Sequence, residues 1–72
     1  MSKIVDARGL SCPQPVLLTL NEMKKINKGE ITVLVDTDTS KENVSRAANA
    51  QGWQIKSIES EGIGYRITVS KG

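Results

Sequence analysis

Apolar residues recur along this chain in two rhythms, one of period two and one of period three to four, and the alternation between them predicts six elements. Lys3-Ile4-Val5-Asp6-Ala7 reads as a short strand, followed by a loop at Arg8-Gly9-Leu10-Ser11. From Pro13 to about Ile26 the spacing becomes helical, with Val16, Leu17, Leu20, Met23 and Ile26 forming one broad apolar face. Lys24, Lys25 and Lys28 lie in or just past the last turn, where the helix dipole favours cations, and Gly29 is the expected terminator. Ile31-Thr32-Val33-Leu34-Val35 is the clearest strand, placing Ile31, Val33 and Val35 on one face. Thr39-Ser40-Lys41-Glu42 has capping-box spacing and predicts a second helix, with Asp38 as an alternative cap. Val44, Ala47, Ala48 and Gln51 mark that helix's inner side, and Gly52 ends it. Trp53 to Glu59 and Ile63 to Ser70 then read as a hairpin joined through Ser60-Glu61-Gly62. In its second strand Ile63, Tyr65, Ile67 and Val69 alternate with polar or small residues.

The order is β-α-β-α-β-β. Right-handed crossovers put both helices on one face of a four-stranded mixed sheet, which gives an α+β two-layer sandwich with a largely polar opposite face. The 72 residues leave room for one core, so residues 1–72 are read as a single domain. Trp53 and Tyr65 are the only aromatic residues, so Ile, Val, Leu, Met and Ala must build that core.

Composition narrows the chemistry. One cysteine cannot form an internal disulfide, and neither a signal-peptide pattern nor an apolar run of membrane-spanning length is present, so a reducing cytoplasm is the expected setting. A formal charge of +2, evenly spread, argues against nucleic acid as a ligand. Histidine is absent, which excludes a Cys-His catalytic pair. A lone thiol without imidazoles makes no zinc centre, and no cofactor is implied.

The remaining chemistry centres on Cys12. Pro13 is favourable at a first helical position and pushes the residue before it toward extended geometry, which makes Cys12 the expected N-cap. A sulfur there sits at the positive end of the helix dipole, a setting that lowers thiol pKa values. Pro15 limits the effect, because it lacks the N–H that a third helical residue would donate and leaves Gln14 as the main donor. The expected pKa is therefore below the ordinary ~8.5 without extreme depression. A lone cysteine in a small domain is more often a buried, inert residue; its place at a loop–helix junction, followed by Pro13 and Pro15, brings the reactive reading level with that one. With no resolving cysteine, three one-thiol roles remain open: carrying a sulfane sulfur, accepting an acyl group, or sensing oxidation.

Asp6-Ala7-Arg8-Gly9-Leu10-Ser11-Cys12-Pro13-Gln14-Pro15 resembles the signature of the TusA/SirA-like family of small sulfur-carrier proteins. The likeness extends through Val35-Asp36-Thr37-Asp38 and Gly52-Trp53. Around Ser40-Lys41-Glu42-Asn43-Val44 it is nearest to the N-terminal domain of YedF-type proteins. The resemblance implies the same βαβαββ sandwich, a fold also similar to the C-terminal domain of translation initiation factor 3. It implies a persulfide on Cys12, taken from a cysteine desulfurase or rhodanese-type donor protein and passed to an acceptor sulfurtransferase, with Pro13, Gln14, Pro15, Gly9 and Leu10 as scaffold. The pathways it suggests are tRNA thiolation, cofactor synthesis and selenium or sulfur metabolism. Whether such a carrier counts as an enzyme is left open. Two alternatives stay beside it: a thiosulfate-handling thiol domain working with a membrane transporter, and a non-catalytic RNA- or protein-binding module of the same fold. Tyr65 and Arg66 point to opposite faces, so they make no stacking platform for bases.

Four nearby residues have two readings each. Gly9 supplies a positive φ or close approach, or is a simple turn glycine. Leu10 is read as loop or core packing before partner contact. Asp6 orders the loop by hydrogen bonds or merely ends the first strand. Arg8 supports the sulfur anion or meets a partner, against the plainer reading of a lone solvated charge.

Overall fold

A computed structural model of the chain describes residues 2–10 and 14–72. Its elements run β1 (Ser2–Asp6), α1 (Gln14–Ile26), β2 (Gly29–Val35), α2 (Asp38–Ala50), β3 (Gln54–Glu61) and β4 (Gly64–Lys71). The four strands form one sheet in the order β1-β2-β4-β3. β1 and β2 pair in parallel, while β4 pairs antiparallel with both β2 and β3. Thus β4 is inserted between β2 and β3, the two strands that α2 connects. The sandwich expected from the element order is the one observed.

Both helices pack on the face that carries Val5, Ile31, Val33, Val35, Ile67 and Val69, all buried. These side chains come mainly from the central strands β2 and β4, and each contributes about 1.5–3 kcal/mol by leaving water. Ala7, together with Val44 and Ala48 of α2, Met23 of α1 and Trp53, completes the core. The opposite sheet face carries Thr32, Thr68, Arg66, Ser57 and Gln54, with Ile4 standing 67% exposed among them. Among the described residues no helix is long and apolar enough to cross a membrane.

The structure corrects the periodicity at several places. Leu17 is 47% exposed, because the buried stripe of α1 runs through Pro15, Thr19 and Met23 at four-residue steps. Thr19 can face inward because its hydroxyl donates to the Pro15 carbonyl at 2.8 Å. Ile63 is 93% exposed at the tip of the β3–β4 hairpin and is no part of the β4 inner face. Helix α1 stops at Asn27, which adopts the left-handed conformation (φ 64°), before Gly29 is reached. The cap of α2 is neither Thr39 nor Asp38. It is Thr37, extended at φ −136° and ψ 155°, whose Oγ1 accepts from the Ser40 amide at 3.1 Å. In β3 the register shifts between Ile55 and Ser57, so Lys56 is a bulge residue and Ile55 and Ile58, three apart, pair with Val69 and Ile67 of the inner face.

Candidate functional site

Because β1 and β2 are parallel neighbours, their carboxyl ends and the loops that follow lie together, and each loop feeds the amino end of a helix. In sequence the motif cysteine falls between β1 and α1. Cys12 and Pro13 lie outside the described residues, so the site is built from what brackets them, Asp6–Leu10 on one side and Gln14–Pro15 on the other.

Three consecutive backbone amides fix the loop ahead of the cysteine. Ala7 N–H donates to the Leu34 carbonyl at 2.8 Å, extending the β1–β2 ladder by one residue. Arg8 N–H donates to Asp6 Oδ1 at 3.2 Å. Gly9 N–H donates to Asp36 Oδ2 at 2.7 Å, across 27 residues of sequence. Gly9 holds φ at +78°, and a Cβ added there would meet nothing within 4 Å. Gly9 thus supplies a positive φ without a close approach, and it does so within a turn, so both the positive-φ and the turn-glycine readings fit it.

Asp6 takes the loop-ordering role, and Arg8 is not a lone solvated charge. The guanidinium donates through Nε to Asp6 Oδ1 and through a terminal nitrogen to Oδ2, both at 2.9 Å, a bidentate pair. The Arg8 side chain beside it, then the Arg8 amide, holds the Asp6 carboxyl down at about 2. Leu10 is 38% exposed.

On the far side of the cysteine, Gln14 is exposed and opens α1. Pro15 is buried and anchors the first turn into the core. That first turn carries no acidic residue, so nothing in it neutralises the positive end of the helix dipole. Leu10 and Leu17, both exposed, place apolar surface on either side of the motif along the chain.

Several residues at this end escaped the sequence reading. Asp36 was visible only as part of a family-like string; its bond to Gly9 depends on two loops made adjacent by parallel pairing. Gly64 is buried, and a Cβ there would lie 2.2 Å from the Val35 carbonyl oxygen and 3.0 Å from Asp36 Cα. Tyr65 donates its hydroxyl to Asp38 Oδ1, and this bond, followed by desolvation, raises the phenol's pKa. The Lys41 ammonium lies 4.5 Å from the Tyr65 ring centroid and 3.9 Å from Asp38.

With this geometry in place, comparison with known proteins becomes informative. The family described as sulfurtransferase TusA matches residues 3–71. The chain belongs to the TusA family. Among its relatives, a candidate sulfur carrier of Methanocaldococcus jannaschii is 33% identical over 70 residues, covering 96% of this chain and 93% of that protein. YedF of Escherichia coli, also named as a candidate sulfur carrier, is 32% identical over 68 residues, covering 93% and 88%. The candidate carrier YrkF of Bacillus subtilis is 33% identical over 70 residues, and the chain spans only 38% of its length. It spans 26% of another M. jannaschii relative, to which it is 30% identical over 71 residues. A SirA-like protein from Desulfitobacterium hafniense shares the fold with a TM-score of 0.88 and 31% identity, over 100% of this chain and 99% of that one. TusA membership and these relatives support a sulfur-carrier role.

Proposed function

We propose that Cys12 carries sulfur as a persulfide and relays it between two proteins in the cytoplasm, residues 1–72 acting as one TusA-like unit. The Cys12 thiolate attacks the terminal sulfur of a donor cysteine persulfide. A new S–S bond forms, the donor's S–S bond breaks, and the donor cysteine leaves as a thiolate, with no net oxidation. Attack by an acceptor thiolate on the terminal sulfur returns Cys12 to the free thiol. A cysteine desulfurase or rhodanese-type protein is the proposed donor, and an acceptor sulfurtransferase the proposed recipient.

The observation that carries this reading is the start of α1. Two positions after Cys12 in the sequence, within the motif, begins a 13-residue helix whose first turn holds no carboxylate, and an uncompensated helix N-terminus favours an anion such as a thiolate or persulfide. Pro13, Gln14 and Pro15 serve as scaffold behind it, and Gly9 and Leu10 ahead of it. The exposed Leu10 and Leu17 offer apolar contact for a docking donor. Asp6 and Arg8 support the loop through their mutual pair.

Incubation with a desulfurase and free cysteine, followed by intact-mass measurement, should add about 32 Da per sulfur to the wild-type chain. Cys12→Ser should gain nothing. No adduct on the wild type, or an equal one on Cys12→Ser, ends the proposal.

A further inference from the structure

Ile63 is the most exposed large apolar side chain among the described residues, at 93%. It gives nothing to the core, and the turn that carries it asks nothing of its side chain. Glu61 pairs with Gly64, so Gly62 and Ile63 alone form the loop of the β3–β4 hairpin. Gly62 has φ +62° and Ile63 is not left-handed, which is the φ pattern of a type II′ turn. The first place in such a turn calls for glycine, whereas the second is ordinarily filled by Asn, Asp or Ser. An isoleucine there holds nearly its whole side chain in water with no packing in return.

The backbone beneath it is firmly seated. Gly64 is buried, and a Cβ there would fall 2.2 Å from the Val35 carbonyl oxygen and 3.0 Å from Asp36 Cα. The hairpin therefore rests on the end of β2, against the loop whose Asp36 accepts from the Gly9 amide at 2.7 Å. Leu10 follows Gly9 in the chain, and Leu17 closes the first turn of α1. Three exposed apolar side chains, Leu10, Leu17 and Ile63, thus belong to one end of the molecule. Three carboxylates of this end are already engaged: Asp6 by Arg8, Asp36 by the Gly9 amide and Asp38 by the Tyr65 hydroxyl. That leaves the apolar side chains with the most to gain from a partner.

We infer that Ile63 is a docking anchor that inserts into an apolar pocket on the sulfur-donor protein. The inference rests on the persulfide reading. Sulfur passes only between thiol groups in contact, so a donor must cover the end where Leu10 and Gln14 bracket Cys12 in the chain. The hairpin tip belongs to that same end, and it brings a contact from a distant part of the sequence. Interfaces draw most of their binding energy from a few side chains that fill pockets. A side chain carried on a preformed, clamped turn loses little freedom on docking.

Ile63→Thr keeps the β-branched shape while removing the apolar reach. With a cysteine desulfurase and free cysteine, its initial rate of sulfur uptake, read by intact mass, should fall about five- to tenfold at low carrier concentration. The rate should approach that of the wild type at saturation. Uptake from glutathione persulfide, a donor too small to offer a pocket, should be the same in both chains. Ile4→Thr removes another exposed isoleucine (67%), from the open face of the sheet, and should leave uptake from both donors unchanged. Urea unfolding of Ile63→Thr should match the wild type, because the side chain has no packing to lose. Equal uptake by the wild type and Ile63→Thr from the desulfurase overturns the inference, as does an equal loss with glutathione persulfide or in Ile4→Thr. A wild type that accepts sulfur from glutathione persulfide alone overturns it too. A wild type that accepts sulfur from neither donor ends the persulfide reading itself, and the inference with it.

Discussion

The two helices of this protein begin at the same end of the sheet, each after a strand of the parallel pair and each 13 residues long, but their amino ends are finished differently. At α2, Thr37 accepts from the Ser40 amide and Asp38 places a carboxylate in the first turn. Both devices spend the free amides and positive dipole on the protein's own stability. At α1 the first turn has no acid, a proline fills its second position, and the residue types around the start are those of a reactive-cysteine motif. The same local physics thus serves as a structural cap in one place and as an anion-favouring end in the other. The proposed chemistry sits where the first turn was left without an acid.

Four substitutions break or sharpen this contrast. Gly64→Ala should have the largest effect, because its Cβ would meet the Val35 carbonyl at 2.2 Å and the backbone cannot yield cheaply. A loss of about 3 kcal/mol, at the upper end for overpacking, is expected from urea unfolding followed by the fluorescence of Trp53, the one tryptophan. Thr37→Ala removes the α2 cap and should cost about 1 kcal/mol in the same assay. Gln14→Glu makes α1 resemble α2 by adding a carboxylate to its first turn. It should slow Cys12 alkylation at neutral pH while raising stability by about 0.5 kcal/mol, so reactivity and stability move in opposite directions. Arg8→Gln should have the smallest effect. The Asp6 carboxyl, held at about 2 by Arg8, should titrate closer to its ordinary 3.8 when followed by carboxyl NMR. The sign follows from the lowered pKa. The ion pair's contribution is complete above pH 3.8 and is lost as pH falls through about 2, so the wild type and Arg8→Gln should converge in stability at the acid end of that window.

The element order was legible because strand and helix rhythms differ sharply in Ile31–Val35 and in the stretch from Val16 to Ile26. Local competition decided the misreadings. Leu17 fits a helical apolar set by spacing, but Thr19 took the inward position once its hydroxyl could be satisfied by the Pro15 carbonyl. Thr39 and Asp38 were the caps the sequence offered for α2, and the extended backbone at Thr37 selects that residue instead. Ile63 continues the β4 alternation in sequence, yet the hairpin turns at that residue. Of the site, the cysteine motif was readable because its residues are contiguous. Asp36 was not, since its contact with Gly9 joins two loops 27 residues apart and exists only after β1 and β2 have paired. The element order predicted a mixed sheet but not which strands are neighbours, so the meeting of the loops after β1 and β2 became visible only with the sheet itself.

The bulge at Lys56 also bears on how the molecule behaves at high concentration. β3 is an edge of the sheet, and a straight edge of eight residues would offer its unpaired amides and carbonyls to any other chain. The extra residue interrupts that ladder, and the lysine it carries, ion-paired to Glu30 at 2.7 Å, sets a charge beside it. An edge broken in this way is a poor template for recruiting further strands, which resists edge-to-edge aggregation. Along this side the chain is thereby poorly suited to strand pairing with a second copy.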